Sequence, residues 1–292
     1  MHPLFNALLA QRPVITDGAW GTELQKLGLL PGEHPDFWNL SHPGRVGEVA
    51  SRYVEAGSTV ILTNTFRSNR IALGVHGRDV DVAALNAAGV SISRKAAAGR
   101  ARVFASVGPS GKMLMSEEVT EAELEGAFAE QCMALAGAGA DALLIETMSD
   151  LEEARIALRA ARTTGLPVVV SMVFDSGREK DRTMMGSTPE QVAAALGEAG
   201  ADAIGANCGL GIDGYIPVCA RLRKATSLPL WIKPNAGMPE MAHGTITYRT
   251  TPEEFAAGSA DLERAGADFI GGCCGTTPEF IRAVSAALHP AH

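Results

Sequence analysis

Three of the five cysteines stand where short apolar runs end, at positions typical of the ends of buried strands. They are Cys208, Cys273 and Cys274, and the last two lie side by side in the stretch Gly271–Gly275. Neighbouring side chains of a regular strand point to opposite faces, so this pair can share one site only if the backbone is irregular there. The glycines around the pair allow such a backbone, because glycine adopts dihedral angles that other residues avoid. The pattern therefore predicts a site built from thiols.

Three thiolates that converge on one point suit a soft metal ion, and zinc is the commonest metal in such sites. Structural zinc usually has a fourth protein ligand and closely spaced cysteine pairs, whereas three ligands with an open position are typical of catalytic zinc. Two alternatives stay open, a redox pair formed by Cys273 and Cys274, or plain packing of cysteines at strand ends. Cys132 and Cys219 fall in helical patterns and are predicted to be buried small residues.

An open zinc site with three thiolates favours one kind of reaction. The charge of the thiolates weakens the metal as a Lewis acid for making hydroxide, whereas a fourth thiol loses its proton when it coordinates. A free thiol has a pKa of about 8.5 and is mostly protonated at pH 7, so this activation makes it a nucleophile. We therefore expect alkyl transfer to the thiol of a small substrate.

The elements that must position these residues follow a repeat. Four segments, which begin at Glu55, Gly137, Glu198 and Arg264, contain a glycine that ends a helical pattern, followed by a short apolar run. Four more apolar runs lie between them, and eight strands separated by amphipathic segments predict an α/β fold, the TIM (β/α)8 barrel. The alternative is an open doubly wound sheet, but the chain lacks the glycine spacing of a dinucleotide fingerprint. In a barrel the chemistry lies at the carboxyl ends of the strands, where the three cysteines fall.

The composition limits the partners and the location of the protein. The net charge is −8 and no basic run occurs, which argues against nucleic acid or an anionic membrane surface as a partner. No apolar stretch approaches the roughly 18 residues that span a bilayer, and the amino-terminal residues do not resemble a secretory signal. We expect a cytoplasmic protein with reduced thiols and one domain over residues 1–292. Nothing in the sequence fixes its oligomeric state.

Several motifs together resemble one family. The stretches are Gly271–Glu279, Ala206–Gly209, Lys233–Gly237, Leu144–Thr147 and Thr63–Phe66. They are similar to the zinc-dependent homocysteine S-methyltransferase family. Two further stretches, Asp36–Asn39 and Thr183–Gly186, resemble the bacterial betaine–homocysteine methyltransferase-like proteins of that family. The resemblance covers nearly the whole chain, from about Val14 to Ile281. It implies a TIM barrel, zinc held by Cys208, Cys273 and Cys274, and homocysteine as the fourth ligand.

The same resemblance implies the roles of further residues. Asp17 and Glu146 would hold the amino group of homocysteine, because a carboxylate beside an ammonium fixes the orientation of an amino acid. The backbone around Gly18 would lie near the carboxylate of the substrate. Asn235 would approach the zinc ion when no substrate is bound. The structural alternative for Asp17 is a residue that only forms a turn. For Glu146 it is a helix cap or an ion pair.

The methyl donor is the least determined part of the prediction. Betaine or a related methylated ammonium or sulfonium compound is favoured, since aromatic faces bind such cations. Trp38, in the long loop after the first strand, is the first candidate for this contact, and Trp20 and Phe66 are the next. The chain departs from the animal betaine enzymes at Arg67 and Thr147, where they carry tyrosines. S-methylmethionine or a methyl-corrinoid protein is the alternative donor. A zinc- or thiol-binding barrel that has lost catalysis is the alternative from another class.

Overall fold

The protein is described by a computed structural model that covers residues 2–74, 81–242 and 245–290. Strands and helices alternate along the chain. The strands are β1 (Val14–Ile15), β2 (Val60–Leu62), β3 (Arg102–Val107), β4 (Ala142–Met148), β5 (Val168–Met172), β6 (Ala203–Gly211), β7 (Leu230–Asn235), β8 (Glu240–Ala242), β9 (Thr245–Thr247) and β10 (Phe269–Ile270). The helices are α1 (Pro3–Leu9), α2 (Trp20–Lys26), α3 (Trp38–Ser41), α4 (Pro43–Glu55), α5 (Arg70–Gly74), α6 (Val82–Ala97), α7 (Glu121–Gly137), α8 (Leu151–Arg162), α9 (Pro189–Glu198), α10 (Ile212–Ala225), α11 (Pro252–Arg264) and α12 (Pro278–Leu288).

Eight of the strands form one parallel sheet in the order β1-β10-β7-β6-β5-β4-β3-β2. The two outer strands of this order, β1 and β2, meet where the backbone N–H of Thr59 donates to the carbonyl of Ile15 at 2.8 Å. The sheet therefore curls into a barrel, and the predicted (β/α)8 fold is confirmed. The strands β8 and β9 form a separate antiparallel hairpin after β7, which the sequence pattern does not predict.

The local signals in the sequence explain where many of these elements begin and end. Thr120, Thr188 and Thr251 each start a helix with a capping box, in which side chain and backbone satisfy each other's hydrogen bonds. Such a cap stabilises a helix by about 1 kcal/mol. The glycines of the four repeated segments have positive φ angles, from 87° at Gly200 to 105° at Gly266. These are the left-handed conformations that end a helix and turn the chain into the next strand.

The barrel interior is filled at the amino ends of the strands by an aromatic layer. Phe5, from the first helix, lies 6.0 Å from the ring of Phe104 and 5.6 Å from that of Phe269. Trp231 stacks on Phe104 at 5.8 Å between ring centroids. These side chains are fully buried and close the barrel from below. The open end is therefore the carboxyl end of the strands, where the loops can form a site.

No helix within the described residues is long and apolar enough to cross a membrane. The helices instead bury one face against the strands, and the other face is exposed to solvent. This arrangement is the ordinary one for the outer ring of a barrel.

One close contact between strands tests the barrel directly. A methyl group on Gly205 of β6 would lie 1.8 Å from the carbonyl oxygen of Trp231 on β7, a backbone atom that cannot move aside. We expect Gly205→Ala to destabilise the protein by about 3 kcal/mol or more, since overpacking forces the paired strands apart. Urea unfolding followed by circular dichroism measures the change.

The matched control is Gly197→Ala in α9, where the added methyl would meet only Leu228 at 3.8 Å, an ordinary contact. Alanine favours the helix, so this variant should be as stable as the parent or slightly more stable. Equal unfolding midpoints for the two variants would contradict the close pairing of β6 and β7.

Candidate active site

The predicted site residues come together at the carboxyl end of the barrel. Cys208 lies in the last part of β6, Glu146 near the end of β4 and Asn235 at the end of β7. Asp17 follows β1, and Cys273 follows β10 by three residues. Because parallel strands present their carboxyl ends at the same rim, residues distant in sequence become neighbours.

The three cysteines form a cluster at this rim, called here the cysteine cluster. The Sγ atoms of Cys208, Cys273 and Cys274 all lie within 4.8 Å of one another, and those of Cys208 and Cys274 are 3.9 Å apart. Cys132 and Cys219 lie in α7 and α10 and are fully buried, as predicted. Neither belongs to the cluster.

The backbone that carries the cluster is irregular, which confirms the first expectation from the sequence. Cys208 has a φ angle of 62°, a left-handed conformation that residues other than glycine rarely adopt, and the register of β6 with β7 shifts beside it. After β10, the backbone N–H of Cys273 donates to the carbonyl of Pro234 at 2.7 Å. The carbonyl of Cys273 accepts a hydrogen bond from the hydroxyl of Thr276 at 2.7 Å. The turn is thereby fixed to β7.

The cluster has the chemistry and spacing of a site for a soft metal ion. Three thiolates around tetrahedral zinc stand about 3.8 Å apart, given zinc–sulfur bonds of about 2.3 Å. The observed distance between Cys208 and Cys274 agrees with this value. Beside the cluster, the buried Oδ1 of Asn235 has no hydrogen-bond partner among the described residues. The donor set therefore fits a metal such as zinc, with an amide oxygen nearby.

The electrostatics of the thiols lead to the same conclusion. Hydrogen bonds from Cys273 and Cys274 lower the pKa of Cys208, so one thiolate forms readily. The hydrogen bond to Cys208 raises the pKa of Cys273 and also that of Cys274, because the later protons must leave from beside an existing negative charge. A fully deprotonated cluster therefore requires a compensating cation.

Asn207, on β6, connects the cluster to strands β5 and β4. Its Oδ1 accepts the backbone N–H of Thr147 at 2.9 Å and the hydroxyl of Ser171 at 2.7 Å. Its Nδ2 donates to the hydroxyl of Thr147 at 2.7 Å and lies 3.9 Å from Sγ of Cys273. Asn207 thus holds the end of β4, which also carries Glu146, in a fixed position relative to the cluster.

A cavity of about 460 Å³ opens above the cluster and is called here the site cavity. Its lining includes all three cysteines together with Gly18, Glu146 and Lys233. The volume is sufficient for an amino acid beside a second small molecule. The predicted substrate-binding positions Gly18 and Glu146 therefore face the same space as the thiols.

Glu146 is buried at the wall of this cavity. Burial raises its pKa to about 7, although the nearby ammonium of Lys233 acts in the opposite direction. The hydroxyl of Ser106 donates to its Oε1 at 2.5 Å. A carboxyl group with this pKa is held partly protonated at neutral pH and would ionise on meeting a cation.

Asp17 has a different environment from Glu146. Its Oδ1 is paired with Nζ of Lys233 at 2.5 Å. Its Oδ2 accepts the indole N–H of Trp20 at 2.7 Å and the backbone N–H of Leu62 at 2.8 Å. Both oxygens of Asp17 therefore have partners within the protein, and its contact with a substrate amino group stays a prediction.

Trp38 lies away from the site cavity. Its side chain is 5% exposed and its ring packs at a tilt against that of His42, 4.7 Å between centroids, with the guanidinium of Arg45 5.1 Å from the ring centroid. Among the described residues, the aromatic side chains that line the site cavity are Trp20, Phe66 and Tyr248. The donor contact predicted for Trp38 thus stays a prediction, and its present surroundings do not support it.

Lys233 and Tyr248 are among the cavity residues that have no role predicted from the sequence. Lys233 belongs to the motif Lys233–Gly237, and its position at the cavity follows from the closure of the barrel. Tyr248 comes directly after the hairpin β8–β9, and its ring covers Gly275, where an added methyl group would lie 2.3 Å from it. No pattern in the sequence marks Tyr248, because the hairpin that positions it has no counterpart in the repeat.

Known proteins share both the sequence pattern and the architecture. The chain is 31% identical to methionine synthase of Mycobacterium leprae and 30% identical to that of Mycobacterium tuberculosis, in each case over 96% of the chain. It spans only about a quarter of the length of these relatives, 24% and 25%. The metallated form of the Escherichia coli homocysteine methyltransferase MmuM superimposes with a TM-score of 0.82 at 25% identity, over 98% of this chain and 99% of that one.

The family assignment follows from a match that covers almost the whole barrel. The model of the homocysteine S-methyltransferase family matches residues 14–288, which include every strand of the barrel and all three cysteines of the cluster. The chain belongs to the homocysteine S-methyltransferase family.

Proposed function

We propose that this protein transfers a methyl group to the thiol of homocysteine, giving methionine, with zinc bound by Cys208, Cys273 and Cys274. The observation that carries the proposal is the position of the cysteine cluster, which lines a cavity together with the buried carboxyl group of Glu146. An amino acid with a thiol side chain matches this arrangement, since its sulfur suits the metal and its ammonium suits the carboxylate. The family membership supports the same assignment.

The residues of the cavity account for the steps around the transfer. Zinc, when bound, would supply the positive charge that keeps a fourth thiol deprotonated at neutral pH. Glu146 would bind the ammonium of the amino acid and so orient its thiolate toward the donor. A lone pair of the sulfur forms the new sulfur–carbon bond while the bond from the methyl carbon to its carrier breaks, and the carrier keeps that electron pair. No general base is needed once the thiol proton has left.

For the donor, we propose betaine or a related methylated ammonium or sulfonium compound. Trp20, Phe66 and Tyr248 line the cavity, and aromatic faces attract such cations. Arg67 also lines the cavity and suits the carboxylate that a donor such as betaine carries.

A second donor is favoured by a specific feature of the rim. Exposed methionines occur in the segments after β3, β5 and β7, at the same end of the barrel as the site cavity. They are Met113, Met115, Met184, Met185, Met238 and Met241, of which Met241 lies in β8. Exposed methionines are frequent on surfaces that bind other proteins. Together with the similarity to methionine synthases, they suit a methyl-corrinoid protein that would deliver the methyl group at this rim.

The metal content provides the first test. The purified protein should contain about one zinc ion per chain, and Cys273→Ser should lose the metal and the activity because a ligand is removed. Cys208→Ser and Cys274→Ser should do the same. Elemental analysis of protein prepared without chelator measures the metal, and circular dichroism checks the fold.

Cys132→Ser serves as the matched control, since Cys132 lies buried in α7 and does not belong to the cysteine cluster. Its metal content should equal that of the parent. A Cys273→Ser protein with a full complement of zinc would refute the three-thiolate site.

The pKa of Glu146 leads to a pH dependence of substrate binding. Below about pH 7 the carboxyl group is protonated and must release its proton to pair with the substrate ammonium, so homocysteine affinity should rise as the pH increases toward 7. Glu146→Gln should weaken binding by about 10-fold or more, because a charge-assisted hydrogen bond is lost. The variant should also release one proton fewer per homocysteine bound, so its affinity should depend less steeply on pH.

Calorimetric titration of the zinc-loaded protein with homocysteine between pH 6 and 8 measures both effects. The parent should release about two protons per homocysteine at pH 6, one from the thiol and one from Glu146, and the variant about one. Identical affinity and identical proton release in the two proteins would show that Glu146 does not hold the amino group.

The donor is tested by offering homocysteine with betaine, dimethylsulfoniopropionate, S-methylmethionine or methylcobalamin in parallel and measuring methionine. With a cationic donor, Phe66→Leu should raise the donor KM by about 2- to 30-fold, the value of a lost cation–π contact. Trp38→Leu is the comparison, and its donor KM should stay unchanged because Trp38 does not line the cavity. Turnover with methylcobalamin alone would favour the protein carrier, and no turnover with any donor would favour the non-catalytic barrel.

A further inference from the structure

The buried lysine below the site cavity has no role in the chemistry described so far. Lys233 lies on β7 with only 2% of its surface exposed, yet it lines the site cavity. Lysine is almost never this deeply buried unless its charge is paired. Its position therefore requires an explanation that goes beyond the packing of the barrel.

Two side chains, those of Asp17 and Trp231, lie near the ammonium of Lys233. Nζ of Lys233 donates to Oδ1 of Asp17 at 2.5 Å and stands 5.8 Å from the ring centroid of Trp231, which belongs to the aromatic layer below. An ammonium carries three N–H donors. Within the described residues, Oδ1 of Asp17 is the one protein acceptor at hydrogen-bond distance. Two of the three N–H groups of the Lys233 ammonium therefore have no protein acceptor among the described residues.

The ion pair also changes the charge that a substrate would meet. Without Lys233, the carboxylates of Asp17 and Glu146 would both act on the cavity beside the cysteine cluster, and an amino acid would bring a third carboxylate. Lys233 stays charged, because the attraction of Asp17 and Glu146 outweighs the effect of burial and raises its pKa. Lys233 thus presents a cation and Glu146 a carboxyl group to the same cavity, as the two charged ends of an amino acid require, and Arg67 and Asp36 also line it.

We propose that Lys233 is a specificity-determining residue that binds the carboxylate of the amino-acid substrate, while Glu146 binds its ammonium. This inference rests on the proposed function, since it assigns the third point of contact for a substrate whose thiol lies at the cysteine cluster. Gly18, next to Asp17 in the chain, also lines this cavity. Thiols that lack the carboxylate should then be poor substrates because they cannot make the contact with Lys233.

The test uses three thiols that differ in their charged groups. They are homocysteine, 3-aminopropanethiol, which lacks the carboxylate, and 4-mercaptobutyrate, which lacks the amino group. Replacing Lys233 alone would leave the negative charge of Asp17 uncompensated, and that charge would itself repel the substrate carboxylate. The informative comparison is therefore Asp17→Asn, which keeps Lys233 as an unpaired cation, against Asp17→Asn combined with Lys233→Met. Calorimetry on the zinc-loaded proteins gives the affinities, and zinc content and thermal unfolding check that both variants are intact.

The double variant should bind homocysteine and 4-mercaptobutyrate about 10- to 100-fold more weakly than Asp17→Asn, because a hydrogen bond to a charged group is lost. Its affinity for 3-aminopropanethiol should agree within about 2-fold. Glu146→Gln should give the opposite pattern, with 3-aminopropanethiol weakened and 4-mercaptobutyrate retained. An equal loss for all three thiols in the double variant would overturn the proposal and leave Lys233 a purely structural residue.

A measurement on the parent protein does not depend on how the variants fold. If Lys233 receives the carboxylate, 4-mercaptobutyrate should bind about 10-fold more tightly than its uncharged amide. If the carboxyl groups of Asp17 and Glu146 dominate the cavity, the acid should be repelled and the amide should bind more tightly, which would overturn the inference while homocysteine still binds. Failure of the zinc-loaded parent to bind any of the thiols would instead refute the proposed function itself, and this inference with it.

Discussion

The buried ion pair between Asp17 and Lys233 is the interaction on which the geometry of this barrel depends. Oδ1 of Asp17 reaches β7 through Lys233, and Oδ2 reaches β2 through the backbone N–H of Leu62. Since β1 and β2 are the outer strands of the hydrogen-bonded order, Asp17 helps to close the sheet at the point where the ladder is thinnest. Removing one member of such a pair leaves a buried charge and costs about 3–5 kcal/mol. Barrel closure and the charge of the cavity are therefore set by the same two side chains.

The barrel divides its two tasks between the ends of its strands. At the amino ends, the rings of Phe5, Phe104 and Trp231 fill the interior and leave no room for a ligand. At the carboxyl ends, the backbone leaves regular strand geometry, with left-handed angles at Cys208 and Thr147. Such conformations cost energy and are sustained by surrounding contacts, here the hydrogen bonds of Asn207. The rigid lower half thus supports the irregular backbone that brings the three thiols together.

The walls of the site cavity come largely from loops rather than from the strands of the barrel. The cavity walls that would meet a donor come from the loops after β1 and β2 and from the segment after the hairpin β8–β9, which carries Tyr248. Loops vary more easily than strands because few buried contacts depend on them. One barrel can therefore keep the chemistry of the thiol and change the source of the methyl group.

The sequence by itself determined the eight strands, the capped helices and the identity of the thiol site, because these depend on local patterns of hydrophobicity, on glycine and threonine at helix ends, and on rare residue types. Tertiary structure alone decided the roles around that site. It placed Trp38 away from the cavity and brought Tyr248 into it, and it paired Asp17 with Lys233 across 216 residues of chain. Partners so distant in sequence are chosen by how the barrel closes, and a linear pattern carries no record of which side chains closure brings into contact.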